Sequence, residues 1–358
     1  MKVIHIPEKE VEDFVSKDFG GVRQNKTVCI VRYGAFGDIV QASSLFPKFK
    51  EEGYNVCVNV TDIGAGLLKY NPYVDELIVQ KDNQINNFKL RDYWKKMEEC
   101  FDRFVQLSES IEGTLLLNPE RTVEIDGEKV RVEASEGYYL SKEEIHERCN
   151  KNYLEETHRI AGIDFKHNPV FYPSPLEKNW AKKERKKIKT KNVVLWSLSG
   201  SSVHKVYPWT DNVIAALLLR NRNVSIVTVG DHLCQLLEVG WEKEKRVILK
   251  AGKWPIGKTL SFLSHCDVIV GPETGVLNAA SMMRNHKCVF LSHSSNENLT
   301  RYWKNTTAFE PEDCPCFPCH KLHFGFSTCN RDSETGGAKC ASNIKPDRVV
   351  TDILRNLK

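Results

Sequence analysis

The chain has 358 residues, of which 41% are hydrophobic and 27% are charged, a composition typical of globular proteins. At about 150 residues per domain, this length predicts about two domains. The sequence has no apolar run near the ~18–20 residues of a membrane span and no signal-peptide core after Met1. Collagen-like, coiled-coil, transmembrane and wholly disordered classes are therefore excluded, and we expect a cytoplasmic protein.

The positive charge is concentrated in one segment. The net charge of the chain is only +4, but residues 178–191 contain eight basic residues and one acidic residue. Such a basic segment on a near-neutral body suits a polyanionic partner, such as a phosphorylated glycolipid, a nucleic acid or an anionic membrane surface. The alternative is a solvated helix face in a linker between domains.

Strands and helices alternate along both halves of the chain. Residues 1–26 are polar and are expected to be peripheral. In the first half, strands are predicted at 27–32, 54–60, 76–80 and 103–108, and helices at 39–50, 85–100 and 141–162. In the second half, strands are predicted at 193–198, 224–230, 246–252, 267–271 and 287–292, and helices at 209–220, 232–239, 258–265, 275–284 and 347–357. This alternation predicts parallel βαβ units and an α/β class.

The domain boundaries follow from this pattern and from composition. We predict a Rossmann-like domain over 1–167 with an insertion near 108–140, a basic linker over 168–191, a second Rossmann-like domain over 192–312, a cysteine-rich segment over 313–343 and a C-terminal helix within 344–358.

A glycine-containing turn follows the first predicted strand. Gly34 and Gly37 allow the backbone to turn sharply from strand to helix. Asp38 is then expected at the helix N-terminus, beside the carboxyl end of the strand, where ligands bind in open α/β sheets. The spacing is not that of a dinucleotide-binding fingerprint. Asp38 could carry chemistry or could cap the helix.

Two loops in the second half have the residue types of anion sites. After strand 193–198 the chain offers Ser199, Ser201, Ser202 and Lys205, and small hydroxyls with one ammonium can bind a phosphate. An ordinary polar loop has the same composition.

After strand 267–271, the segment Glu273-Thr274-Gly275 opens a helix. Free N–H groups at a helix N-terminus bind anions, and Glu273 could accept hydrogen bonds from sugar hydroxyls. The alternative is that Glu273 or Thr274 only caps the helix.

Together these segments resemble glycosyltransferase family 9, the ADP-heptose:lipopolysaccharide heptosyltransferases. The matching residues are Arg32, Gly34, Ala35, Gly37 and Asp38; Gly200, Ser202, Lys205 and Pro208; and Gly257, Lys258, Thr259, Leu260, Leu263, Asp267, Gly271, Thr274 and Gly275. The chain departs from the family pattern in having Glu273 where aspartate is usual and Asn278 where histidine is usual.

The resemblance implies a GT-B fold, in which two Rossmann-like domains face each other across a cleft, and an inverting single displacement. The first domain would bind the acceptor, with Arg32, Gly37 and Gln41 as acceptor-binding residues, and Asp38 would be the general base. The donor nucleotide sugar would bind through Ser199, Gly200, Ser201, Ser202, Lys205, Glu273, Thr274 and Gly275. Lys205 and the helix N–H groups would stabilise the leaving diphosphate. The sequence contains no Asp-x-Asp, so metal-assisted departure is not indicated.

Five of the twelve cysteines lie close together in the sequence. The spacing of Cys316, Cys319, Cys329 and Cys340 predicts a four-thiolate metal site. His320 and His323 are competing ligands, and Cys314 is a spare thiol. The segment resembles the four-cysteine finger of the bacterial autotransporter heptosyltransferases, which hold iron. Zinc is the physical default for a closed thiolate site, and we expect a structural role.

The acceptor stays open at this point. It could be a lipopolysaccharide core sugar, with peripheral contact to the inner membrane, or a protein hydroxyl. It could also be a hydroxylated base in DNA, as for some bacteriophage glycosyltransferases acting in the host cytoplasm. The remaining alternative is a non-catalytic protein that binds a nucleotide sugar or a glycan.

Overall fold

The computed structural model describes residues 1–6, 26–81, 84–85, 89–108, 117, 120–125 and 128–357. Its contacts divide the chain into two compact units. The first unit consists of Met1–Glu109 and Leu154–Ser174, and the second of Ser110–Tyr153 and Pro175–Lys358. Each unit is built on one parallel β-sheet with helices, so the predicted α/β class is confirmed.

The first unit contains a five-stranded sheet in the order β1-β4-β3-β2-β5. Its elements are β1 (Lys2–His5), β2 (Thr27–Val31), α1 (Phe36–Ala42), α2 (Phe46–Glu51), β3 (Asn55–Thr61), α3 (Asp62–Leu68), β4 (Glu76–Gln80), α4 (Leu90–Glu98), β5 (Arg103–Gln106) and α6 (Tyr153–Ala161). The central strands β2 and β3 are rich in valine and are buried except at Asn55, as expected when both faces of a parallel sheet are covered. β1 pairs with β4 and was not predicted, because its mostly exposed edge position gives it no core-strand pattern.

The second unit contains a six-stranded parallel sheet in the order β10-β9-β8-β11-β12-β13, and the antiparallel pair β6–β7. Its elements are β6 (Arg121–Ile125), β7 (Glu128–Val132), α5 (Lys142–Cys149), α7 (Pro175–Lys187), β8 (Asn192–Ser197), α8 (Thr210–Arg220), β9 (Val224–Val229), β10 (Val247–Leu249), α9 (Ile256–Leu263), β11 (Val268–Pro272), α10 (Gly275–Ala280), β12 (His286–Phe290), β13 (Thr306–Phe309), α11 (Lys339–Ser342) and α12 (Pro346–Asn356). The segment predicted as helix 232–239 contains a 3₁₀ turn, Leu233–Glu238.

The units differ from the predicted domain boundaries at two places. Residues 110–153, expected in the first domain, group with the second unit. The basic helix α7, expected in a linker, also belongs to the second unit, where it packs against α9. Its C-terminus is closed by Arg185, whose guanidinium donates to the carbonyl oxygens of Ile188 and Lys191 at 3.0 and 2.8 Å.

In each sheet the strand order reverses at one strand, β2 in the first unit and β8 in the second. In the first unit β2 lies between β3 and β5, and in the second unit β8 lies between β9 and β11. The crevice at the carboxyl ends of the strands at such a point is the usual ligand site of open α/β sheets. The three predicted site motifs directly follow β2, β8 and β11. Among the described residues, no helix has the length and apolarity to cross a membrane.

A polar cluster joins α12 to the sheet of the second unit. Asp352 accepts hydrogen bonds from His286 at 2.6 Å, from the Cys288 thiol at 3.1 Å and from the Thr307 hydroxyl at 3.0 Å. Within the described part of the chain, His286, Cys288 and Asp352 are the one set of three metal-type ligands within 4.8 Å of one another. No local pattern in the sequence indicates this cluster, because Asp352 lies 64 residues after Cys288 in the chain. These hydrogen bonds attach α12 to β12 and β13, which accounts for the cluster without a metal ion.

We expect Asp352→Asn to lower the free energy of unfolding by about 1–3 kcal/mol at pH 7, since buried donors lose a charged acceptor. Burial raises the pKa of Asp352, but the bonds from His286 and Cys288 outweigh it, so the pKa lies below its usual value. The carboxylate therefore stabilises the fold above about pH 4, and this contribution disappears as the pH falls through the folded-state pKa. Urea unfolding at pH 7 and pH 3 checks this: the difference between the variant and the wild type must shrink at pH 3.

Candidate active site

The first motif forms a compact turn after β2. Gly34 has φ +110°, a conformation that residues with a side chain rarely adopt. The turn brings Arg32 and Asp38 together, with 3.4 Å between Nη2 and Oδ2. Arg32 is buried and also donates to the carbonyl oxygen of Leu107, which follows β5. The guanidinium is thus fixed at the reversal point of the sheet and places the Asp38 carboxylate there.

Asp38 lies in the first turn of α1 rather than at its N-cap. The N-cap residue is Ala35, and no side chain caps the helix. About a fifth of the Asp38 side chain is exposed. The capping alternative therefore loses its structural basis, and the carboxylate is held by an arginine while it remains accessible to solvent.

The other predicted acceptor-binding residues lie on the same helix. Gly37 and Gln41 are both buried. The Oε1 atom of Gln41 is buried without a hydrogen-bond partner among the described residues. Their roles toward an acceptor stay predictions.

The two predicted donor-binding loops meet in the second unit. Ser197, the last residue of β8, lies 3.1 Å from Thr274 between hydroxyl oxygens, because β8 and β11 are neighbours in the sheet. The side chain of Lys205 passes close over Gly200: a Cβ atom built on Gly200 would lie 2.8 Å from Cδ of Lys205 and 3.4 Å from Cγ2 of Thr274. Lys205, Gly200 and Thr274, predicted from separate motifs, are therefore neighbours.

The serines of this loop differ in their surroundings. The Ser199 hydroxyl lies 3.0 Å from the Cys234 sulfur. Ser201 is exposed. Ser202 is buried, and its hydroxyl has no hydrogen-bond partner within the described ranges. Ser202 therefore retains a donor that a bound phosphate oxygen could satisfy.

We expect Gly200→Ala to weaken nucleotide binding, because the new methyl group must displace the Lys205 side chain. The thermal stability should change little, since the nearest atom to the new methyl group belongs to the flexible Lys205 side chain. Calorimetric titration with a nucleoside diphosphate, together with a melting curve, checks both points. Unchanged affinity in the folded variant would show that this approach of Lys205 to Gly200 has no role in binding.

Glu273 is engaged in holding a loop. Its carboxylate accepts hydrogen bonds from the backbone N–H groups of Ser292 and Ser294, at 2.5 and 3.2 Å, and from the Ser294 hydroxyl at 3.1 Å. It is also paired with His293. Complete burial would raise the pKa of Glu273, but His293, Lys205 and the backbone donors lower it to about 2. Glu273 is thus an anchored carboxylate, and contact with a sugar or ribose stays a prediction.

Thr274 and Gly275 lie at the start of α10. Thr274 is the N-cap residue and forms no side-chain cap. Behind them, a Cβ atom on Gly271 would lie 2.7 Å from the carbonyl oxygen of Ser197, so this close approach of β11 to β8 requires glycine. Their contact with a diphosphate stays a prediction.

One cavity of about 240 Å³ is lined by the predicted metal ligands Cys316, Cys319, Cys329 and Cys340, together with His323 and His204. In the described part of the chain, no three of their ligand atoms lie within 4.8 Å of one another. Two pairs of soft ligands are close: the sulfur atoms of Cys314 and Cys316 are 3.6 Å apart, and the Cys319 sulfur is 3.7 Å from Nε2 of His323. The Nδ1 atom of His323 lies 2.9 Å from the Thr328 hydroxyl, which leaves Nε2 facing the thiol. This donor set fits a soft metal ion such as zinc or iron.

Burial and mutual hydrogen bonding shift the pKa values of the finger thiols. A hydrogen bond from Cys314 lowers the pKa of Cys316 to about 6, and the pKa of Cys314 is raised. Burial raises the pKa of Cys319 to about 12 and raises that of Cys340. Binding of a metal must therefore release protons, and its affinity should increase with pH.

Histidines of the Lys205 loop and of the cysteine segment lie close to one another and to two further histidines. The ring of His204 is 5.1 Å from that of His293 and 5.6 Å from that of His323, while His146 and His320 are 3.1 Å apart between ring nitrogens. Burial lowers the pKa of His204 to about 2 and that of His320 to about 4. No periodic pattern in the sequence indicates this group, because its members come from four separate segments.

The sequence and the structure were compared with those of known proteins. No family model matches the sequence, and no curated protein matches it. The family 9 glycosyl transferase from Veillonella parvula superposes with a TM-score of 0.65 at 12% identity, covering 92% of this chain and 96% of that one. ADP-heptose lipopolysaccharide heptosyltransferase II of E. coli gives 0.61 at 14% identity, covering 92% and 98%. The chain has the fold of the family 9 glycosyltransferases.

A further structure of this fold is the iron-containing dodecameric glycosyltransferase TibC of enterotoxigenic E. coli. It gives a TM-score of 0.56 at 12% identity and covers 93% of this chain and 76% of that one; TibC was also solved with ADP-D-β-D-heptose. At these identities the likeness concerns the fold alone. The GT-B fold class that the family resemblance implied is thereby confirmed, whereas the residue roles stay predictions.

Proposed function

We propose that this protein is a glycosyltransferase that transfers a sugar from a nucleotide-sugar donor, with inversion, to a hydroxyl group of an acceptor. One observation carries the proposal. In a fold shared with family 9 glycosyltransferases, Lys205, Gly200 and Thr274 converge at the point where the strand order reverses. The ADP-heptose bound by TibC makes an ADP-sugar the first donor to test.

In the proposed reaction the acceptor hydroxyl attacks the anomeric carbon as the bond from that carbon to the diphosphate oxygen breaks. Asp38 accepts the hydroxyl proton, and the electron pair of the broken bond remains on the nucleoside diphosphate. Negative charge therefore grows on the leaving group, and the Lys205 ammonium stabilises it more in the transition state than in the bound substrate. Arg32 keeps the Asp38 carboxylate in place for proton transfer.

The finger cysteines would hold zinc or iron, and we propose a structural role for that ion. A four-thiolate or mixed thiolate–imidazole site with no open position stabilises a loop-rich segment that has little core of its own. The transfer step is assigned to Asp38 and Lys205, and the metal takes no direct part in the bonds that form and break.

For the acceptor we favour a polyanionic molecule. Seven lysines within 178–191 are exposed: Lys178, Lys182, Lys183, Lys186, Lys187, Lys189 and Lys191. Because Arg185 is occupied at the helix C-terminus, these lysines are the part of the basic segment that faces solvent. Lipopolysaccharide core and DNA carrying hydroxylated bases both fit this charge, and a protein hydroxyl does not require it.

The testing experiment is calorimetric titration with ADP-heptose, ADP-glucose, UDP-glucose, GDP-mannose and CMP-sialic acid, followed by transfer assays with the donor that binds. Binding of one nucleotide sugar and its transfer to lipopolysaccharide or to hydroxymethylated DNA would support the proposal. Failure to bind any of the five would contradict it. Binding without transfer or hydrolysis would favour the non-catalytic binding protein instead.

A further inference from the structure

The loop that carries Lys205 is bonded directly to the cysteine segment. The N–H group of Val203 donates to the carbonyl oxygen of His323 at 2.9 Å, and the indole N–H of Trp209 donates to the carbonyl oxygen of Ser342 at 2.9 Å. The segment before Lys205 and the segment after it are thus both attached to residues flanking the predicted metal ligands. These two hydrogen bonds connect the loop directly to the cysteine segment.

His204 lies at the centre of this attachment. Its side chain is 2% exposed, and it lines the same cavity as the four cysteines. Neither ring nitrogen has a hydrogen-bond partner among the described residues. The neighbouring rings of His293 and His323 contact it without accepting or donating a hydrogen bond.

The two ring nitrogens of His204 are buried without hydrogen-bond partners in the described part of the chain, which destabilises the fold. A buried polar group without a partner costs free energy, and in native structures it usually indicates an ion, a water molecule or a ligand. If His204 only filled space, phenylalanine would fill it without this cost. The cavity beside it contains thiols, which bind the same soft metal ions as imidazole, and mixed cysteine–histidine sets are common in structural zinc sites.

We propose that His204 is the fourth ligand of the metal ion, beside three of the four finger cysteines, so that the ion fastens the Lys205 loop to the finger. This inference rests on the proposed function only where it concerns donor binding. Its consequence is positive coupling: the metal-bound protein binds a nucleoside diphosphate more tightly than the metal-free protein, because the ion orders the loop that binds the phosphates. By thermodynamic linkage the nucleotide must tighten metal binding by the same factor.

The ligand assignment is tested with Co²⁺, whose absorption bands report the ligands that surround it. The full-length protein is stripped of metal and titrated with Co²⁺, in parallel with His204→Phe and with His265→Ala as the matched control, since His265 lies near the start of β11 and outside the cavity. We expect His204→Phe to bind Co²⁺ at least about tenfold more weakly, with shifted ligand-field bands, and His265→Ala to behave as the wild type.

An unchanged spectrum and affinity in folded His204→Phe would overturn the assignment. Circular dichroism establishes that the variant is folded. If it is not, His204→Gln takes its place; glutamine retains polar atoms but no imidazole, so the same two outcomes decide the question.

The coupling is tested by measuring ADP affinity with and without Zn²⁺, and Zn²⁺ affinity with and without ADP. We expect a factor of about ten in both directions for the wild type, and a factor near one for His204→Phe. Equal ADP affinity of the metal-loaded and metal-free wild type would overturn the coupling. If the metal-loaded wild type binds no ADP, it is the ADP-sugar form of the proposed function that fails, and the Co²⁺ spectra still decide the role of His204.

Discussion

Replacing Asp38 by asparagine is expected to reduce sugar transfer by about 10²–10⁴-fold, the usual contribution of a general base. Asparagine retains the shape of the side chain but cannot accept the acceptor proton. Affinity for the donor should remain within about twofold, because the donor residues all lie in the second unit. Steady-state transfer assays and donor titration on the same preparation measure both quantities.

A matched control for this substitution is available in the same unit. Asp62 also lies in the first turn of a helix that follows a strand, but it is exposed, and no arginine is paired with it in the described part of the chain. Asp62→Asn should transfer at the wild-type rate. Near-normal transfer by Asp38→Asn would remove Asp38 from the reaction and would reinstate a purely structural role in the turn.

Replacing Lys205 by methionine should weaken nucleotide binding by about 10- to 100-fold, since a hydrogen bond to a charged group contributes about 1.5–3 kcal/mol. Methionine retains the aliphatic length that packs over Gly200, so only the charge is removed. The decrease in kcat/KM should exceed the decrease in affinity, because the leaving diphosphate gains negative charge in the transition state.

Lys245→Met is the control for the loss of one positive charge, since Lys245 is exposed in the loop before β10. It should bind nucleotide as the wild type does. If Lys205→Met and Lys245→Met are indistinguishable, the diphosphate does not bind at this loop. The result for Lys205 is independent of the result for Asp38, because one tests donor binding and the other tests proton transfer.

Part of the site was predictable from the sequence because its signals are local. A buried β-branched strand followed by glycines identifies the turn that carries Asp38, and the same logic applies after β8 and β11. The carboxyl ends of neighbouring parallel strands lie at one edge of a sheet. The proximity of Lys205 to Thr274 therefore followed once the strand order was known.

Other features of the site depend on contacts between distant segments. The sequence suggested Glu273 as a free acceptor for hydroxyl groups, whereas the structure surrounds it with donors from the loop after β12. His204 was one residue beside a lysine, and its burial against His293 and His323 depends on how the cysteine segment folds back. No periodicity encodes such an encounter.

The sequence by itself determined the α/β class, the position of nearly every central strand, the three loops at the strand ends and the cysteine spacing, because each follows from residue types within a few positions of one another. The tertiary structure decided that residues 110–153 and the basic helix belong to the second unit, that β1 adds to the first sheet, and that thiols and imidazoles share one cavity. These features depend on pairings across tens to hundreds of residues, where many alternatives satisfy the same local pattern and only the packing of the whole unit selects one.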